Sequence, residues 1–322
     1  MLKVDIPVKL FLVGGNSPTG KRLIEILRKN KVRFIAPADK HFDPDNGVAI
    51  AKMVTDFAPS QLINMADFIS RNHSALKRAQ SSEHRCEQIN ALLPATLAEI
   101  CNHLNIPMLH LSNAYVFDGE KKLGYNENDE PNPQGVYGRC SYAGELAVQQ
   151  HHAHIIIRSG WLFGPHKIGL IKSWIRSVKK HGGEIPVSRR RFSPTSTADL
   201  AGAILAVSRQ VDCDANVWGA YHYSGLETKK EIEFAQQTLK YAANHDEEIY
   251  QMLDSLKISE RQARLPEIAN STLSSKKIFD TFGIKTKSWH GSLKETIKTL
   301  YVDRLKVVDE EFTQSSKEYY HD

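Results

Sequence analysis

Cysteine is scarce in this 322-residue sequence. Cys86, Cys101, Cys140 and Cys213 stand far apart and form no CxxC pair. That spacing speaks against a zinc site and against a disulfide framework, so no metal is expected. His151, His152 and His154 precede an apolar strand and read as a polar loop. Long apolar runs are absent too, and none approaches the roughly 20 residues a membrane-spanning helix needs. Residues 1–10 mix charged and apolar side chains and lack the long apolar centre of a secretory signal. A cytoplasmic protein without membrane partners is therefore expected. Charge of one sign is also lacking: 42 Lys and Arg oppose 37 Asp and Glu, a net +5. So small an excess does not call for nucleic acid. Arg189, Arg190 and Arg191 form the one dense basic cluster, readable as a solvated loop or as a phosphate contact. Repeats and low-complexity blocks are missing.

What is present is an ordinary globular balance, 41% hydrophobic and 25% charged. The length suits one large or two ordinary domains. Residues 8–13 (VKLFLV) are nearly all apolar, which predicts a strand buried on both faces. A glycine-rich turn follows, GGNSPTG at 14–20. Residues 21–29 then place Leu23, Ile24, Ile26 and Leu27 at helical spacing. Further strands are predicted at 32–36, 62–65, 108–111, 155–158 and 219–223. Helices are predicted at 48–57, 86–104 with a break near Pro94, 136–150, 168–180, 198–207, 229–243, 247–256 and 292–305. Strands alternating with helices of ten or more residues imply right-handed βαβ crossovers and a doubly wound parallel sheet. The expected organisation is a Rossmann-type domain over 1–165, a smaller mixed α/β substrate-type region over 166–308, some of it returning to the first sheet, and a polar tail over 309–322.

A glycine turn between a first strand and a helix sets backbone N–H groups against a pyrophosphate. Gly14, Gly15, Ser17, Thr19 and Gly20 are the candidate cofactor contacts. The spacing is GxxSxxG, with Ser17 where close backbone approach favours glycine and with a hydroxyl able to contact a phosphate. Pro18 suits a first helical turn. Asp39, 19 residues beyond Gly20, is the candidate ribose ligand, with Asp43 as the alternative.

Three stretches carry a more specific signal: HLSNAYVFDG (110–119), ENDEPNPQGVYGRCSYAGE (127–145) and RSGWLFG (158–164). FSPTSTADLA (192–201), YHYSG (221–225) and RLPEIANSTLSSKK (264–277) follow in order. Together they resemble dTDP-4-dehydrorhamnose reductase and its relatives among the extended short-chain dehydrogenases. That family reads STDYVFDG, YGxTKxxGE and RTSWVFG at the corresponding places. The resemblance runs from Lys9 to about Ile297. It implies an NADP or NAD cofactor and a nucleotide-activated 4-keto-deoxysugar as substrate. It implies that Tyr137 is the proton donor, and that Arg158, Trp161, Phe192, Thr195 and Arg264 lie in the substrate region. Relatives often pair as homodimers. The regulatory β subunit of methionine adenosyltransferase shares the fold and motifs.

The departures are chemical. The family lysine four residues after the tyrosine is Ser141 here. The family hydroxyl is Asn113, with Ser112 beside it. A free phenol has a pKa of about 10, and a neighbouring ammonium favours its ionised form. Ser141 carries no charge and is too short to reach a ribose. A nucleotide-binding protein with weakened or lost reductase chemistry is therefore expected. An active reductase and a partner-binding regulatory protein are the alternatives. A charged residue elsewhere that took the lysine's place would favour the active reading.

Overall fold

The computed structural model describes residues 8–68, 79, 81–167, 169–213, 217–260 and 268–302. Arg264 and the tail expected at 309–322 lie outside these residues.

The strands are β1 (Lys9–Val13), β2 (Arg33–Ile35), β3 (Gln61–Asn64), β4 (Met108–Asn113), β5 (His154–Ser159), β6 (Leu162–Phe163), β7 (Glu184–Val187), β8 (Arg191–Phe192), β9 (Thr195–Ser196), β10 (Gly219–Tyr223), β11 (Lys229–Lys230) and β12 (Lys257–Glu260). Six of them form one parallel sheet in the order β10-β5-β4-β3-β1-β2. β2 and β3 leave β1 on opposite sides. The carboxyl ends of β1 and β3 thus form the crevice where a doubly wound sheet changes direction, the place where such sheets take ligands.

Apolar residues cover both faces of this sheet because helices pack on both. On one face Leu10, Leu12, Ile63, Ile155 and Ile157 meet Leu23 and Leu27 of helix α1 (Pro18–Lys29) and Leu200, Ile204 and Val207 of the Thr197–Asp212 helix. On the other, Phe11, Val13 and Ile156 meet Ile50 and Val54 of helix α2 (Gly47–Phe57) and Leu97 and Cys101 of the Leu93–Leu104 helix. The Thr197–Asp212 helix and β10 both come from beyond residue 166, so the later chain completes the first sheet. A separate core gathers Phe163, Trp174, Phe192, Phe234, Trp289 and Leu293.

The helix expected at 86–104 is interrupted earlier than Pro94. Glu83–Glu87 is α-helical, Gln88–Leu92 is a wide π turn, and Leu93–Leu104 resumes the α-helix with Pro94 in its first turn. Proline lacks an N–H, so it fits a first turn far better than a helix interior.

Candidate active site

The glycine turn sits at the end of β1, as its place in the sequence requires. Gly14 has φ +76°, and a Cβ there would lie 2.3 Å from the Ala66 nitrogen. A Cβ at Gly20 would lie 2.4 Å from the Gly14 oxygen, and one at Gly15 would lie 3.0 Å from the Ala36 Cβ. The turn is thus wedged between the ends of β2 and β3, and only glycine fits at Gly14 and Gly20 without displacing backbone. Ser17 is the N-cap of α1. Its hydroxyl accepts the Gly20 N–H at 3.0 Å, and its own N–H donates to Gly14 at 2.9 Å. With Pro18 lacking an N–H and the Gly20 N–H already bonded, the turn keeps fewer donors for an anion than an uncapped helix start. Thr19 is buried. Asp39 opens an exposed turn (Asp39–His41) just after β2, at the same end of the sheet.

Beside this turn, three of the expected site residues come together. The Val136–Val148 helix presents Tyr137 and Ser141, and β4 ends in Asn113. The Asn113 amide donates to the Tyr137 hydroxyl at 3.0 Å and to the Ser141 hydroxyl at 2.9 Å. Its carbonyl oxygen accepts the Tyr115 N–H. Two residues not foreseen complete the network. The Tyr137 hydroxyl donates to the Asp67 carboxylate at 3.0 Å. Asn90, in the π turn, donates to Asp67 at 3.1 Å and to Ser141 at 3.2 Å, and accepts the Phe68 N–H at 2.9 Å. Ser141 therefore occupies the lysine position as an acceptor for two amides. Burial, and then the Asp67 charge, push the Tyr137 phenol well above its ordinary pKa of 10. Tyr115 packs edge-on to the Tyr137 ring at 5.4 Å.

Ser112 does not join this network. It is buried, and its hydroxyl has no hydrogen-bond partner among the described residues. Nearby, His110 meets the Asn64 amide at 3.1 Å, and burial pulls its pKa to about 4, so it is neutral.

The residues expected to touch substrate fare differently. Its guanidinium, 3% exposed, clasps Glu145 with contacts of 2.6, 3.0 and 3.1 Å and lies 5.1 Å from the Phe117 ring. Breaking one side of so buried a pair costs about 3–5 kcal/mol. Phe192 is fully buried in the second core, 4.9 Å from the half-buried Trp161 ring. The Thr195 hydroxyl donates to the Ser193 carbonyl and accepts the Gly225 N–H, both at 3.0 Å. Of the basic cluster, Arg190 pairs with the buried Glu231 at 2.5 Å and Arg189 with Glu260 at 2.9 Å.

Asp67 carries a readable signal, a carboxylate three residues past Asn64 at the carboxyl end of a buried parallel strand. Asn90 carries none, because a π turn is not legible in apolar spacing.

A parallel sheet with a glycine turn at its change of direction, and a helix-borne tyrosine beside it, define a Rossmann-type α/β protein. The chain belongs to the family described as RmlD substrate binding domain, which matches residues 8–302. It is similar to a dTDP-4-dehydrorhamnose reductase of Sinorhizobium fredii, 28% identical over 92% of this chain and 99% of that one. It is also similar to a dTDP-4-dehydrorhamnose reductase of Escherichia coli, 24% identical over 91% of this chain and 98% of that one. Among solved structures, a dTDP-4-dehydrorhamnose reductase from Clostridium acetobutylicum superposes with a TM-score of 0.76 at 27% identity, covering 93% of this chain and all of that one. The enzyme from Bacillus anthracis, solved in complex with NADP, gives 0.75 at 23% identity over 92% of this chain and shares the fold. No helix among the described residues is long and apolar enough to cross a membrane.

Proposed function

We propose that this chain is a reductase-type protein of its family that binds NADP or NAD in the β1/β3 crevice. Its hydride-transfer chemistry on a nucleotide-activated 4-keto-deoxysugar is weakened. Support for dinucleotide binding lies in the place of the glycine turn, between β1 and α1 at the β1/β3 crevice, where Gly14 and Gly20 pack tightly against backbone. Doubly wound sheets take dinucleotides at that crevice, with the phosphates at the turn before the first helix. The bound dinucleotide would supply the hydride. Gly15 and Thr19 would lie against its phosphates, Gly14 and Gly20 would keep the shape of the turn, and Asp39 would hold its ribose.

Weakened turnover rests on one observation: the Tyr137 hydroxyl donates a hydrogen bond to Asp67 and accepts one from Asn113. To protonate a carbonyl oxygen, Tyr137 must first release Asp67. A phenol raised in pKa is also a poorer general acid at neutral pH. Ser141 offers no charge to offset either effect.

The test is a fluorescence titration with NADPH and NADH, then an assay of their oxidation with a dTDP-4-dehydro-6-deoxysugar. We expect one dinucleotide to bind and slow turnover to follow. Tyr137→Phe should lower turnover by less than about tenfold, because the proton it removes is already committed elsewhere. Binding of neither dinucleotide rejects the proposal.

A further inference from the structure

We propose that the Tyr137 site takes the hydroxyl form of its sugar ligand, the alcohol that reduction leaves, in preference to the ketone, and that Asp67 sets this preference. This rests on the nucleotide-sugar reading above and names the form of that ligand the site holds.

Every hydrogen bond in the network has a fixed direction. Backbone N–H groups only donate, so the Tyr115 N–H identifies the Asn113 side-chain oxygen and the Phe68 N–H identifies that of Asn90. The two amide nitrogens must then face the other way. Asn113 spends its two side-chain protons on Tyr137 at 3.0 Å and Ser141 at 2.9 Å. Asn90 spends its two on Asp67 at 3.1 Å and Ser141 at 3.2 Å. The Asp67 oxygen that accepts from Asn90, Oδ1, is also the one that faces the Tyr137 hydroxyl at 3.0 Å. A carboxylate oxygen only accepts, so the single proton of the phenol points at Asp67. Asn113 fills one lone pair of the phenol oxygen. What remains for a ligand is the second lone pair, an acceptor. Such an oxygen receives a hydrogen bond from an alcohol and opposes the lone pairs of a ketone.

Close packing holds this pattern in place. A Cβ at Gly138, the residue after Tyr137, would lie 2.2 Å from the Tyr115 carbonyl oxygen, and one at Gly144 would lie 2.1 Å from that of Asn90. The Val136–Val148 helix is thus pressed against both segments that supply the amides. Neither amide can turn over without giving up its backbone N–H partner. Asp67 follows Ala66, whose backbone nitrogen packs against Gly14, so the network adjoins the glycine turn. Asp67, Asn113 and Tyr115 are half-buried and carry the network to the surface, whereas Ser141 is shut in between the two amides. In reduction the ligand arrives with a carbonyl and leaves with a hydroxyl. The site therefore grips product more firmly than substrate, and slow release joins slow proton transfer. Asp67 acts through Tyr137, so it is a positioning residue.

The test titrates two ligands into the full chain by calorimetry: a dTDP-4-dehydro-6-deoxysugar and the matching dTDP-6-deoxysugar with a 4-hydroxyl. The ketone is measured with the oxidised dinucleotide and the alcohol with the reduced one, so neither can react. Wild type should bind the alcohol at least about threefold more tightly. Tyr137→Phe removes the acceptor, and should weaken the alcohol about three- to tenfold while holding the ketone within about twofold. Asp67→Ala frees the proton of the phenol, and should raise ketone affinity about three- to tenfold. Asp67→Asn can keep both hydrogen bonds through its amide oxygen, and should retain the wild-type preference. Should Asp67→Ala fail to fold, the Tyr137→Phe titrations decide. A wild type that binds the ketone as tightly as the alcohol overturns the assignment. So does a Tyr137→Phe variant that loses both ligands equally, or an Asp67→Ala variant with an unchanged ratio. Binding of neither sugar nucleotide defeats the nucleotide-sugar reading and this assignment together. A chain that reduces the ketone and also binds it the more tightly defeats this assignment alone.

Discussion

Ser17 shows how one side chain can change the task of a turn without changing its shape. Glycine at this place lets backbone approach a ligand closely. Serine instead turns its hydroxyl onto the Gly20 N–H and caps α1. Ser17→Ala should therefore cost about 1 kcal/mol of stability, and Ser17→Gly only a few tenths, measured by urea unfolding. Tyr137, Asn113 and Ser141 were legible as a group, because motif spacing on a strand end and a helix start carries that information. Their hydrogen-bond roles were not, since the partners Asp67 and Asn90 belong to other segments. The partner of Arg158 was hidden for a related reason. Its sequence neighbours match a substrate loop, but its partner Glu145 lies on the Val136–Val148 helix, and only packing reveals the pair.

At the scale of elements, the long apolar strands and amphipathic helices were legible in periodicity because both their faces or stripes are buried. β6, β8, β9 and β11 were not, since two residues carry no period. The π turn at Gln88–Leu92 is the element on which the site most depends, because it aims Asn90 at Asp67 and Ser141. Its backbone is held by Gly144 on the facing helix, where a Cβ would lie 2.1 Å from the Asn90 carbonyl oxygen. Gly144→Ala must push the two helices apart. The expected cost is about 1–3 kcal/mol, as for other overpacked positions, read from the denaturation midpoint. The Tyr137 network should loosen with it, and a raised dinucleotide dissociation constant in the same variant would report that.

For the whole molecule, buried neutral histidines set an acid limit. Burial holds the His110 pKa near 4, and burial with the Arg158 charge holds that of His222 near 3. The unfolded chain takes up these protons near pH 6.5 while the folded chain does not. Each group's contribution is thus complete above about pH 6.5 and is lost as pH falls toward 4 and 3. The loss is about 1.4 kcal/mol per pH unit for each group. Thermal melts from pH 7 to pH 4 should show the decline, and His110→Asn should flatten part of it. The order of strands has a bearing on how the chain is made. β10 lies at the sheet edge against β5 but is synthesised only after β6 to β9. Until the ribosome has released Tyr223, β5 presents Ile155, Ile156 and Ile157 along an open backbone edge. Such an edge invites pairing with other nascent chains. The late strand that completes the sheet is also what removes that hazard, so the two halves of the sequence must mature as one unit.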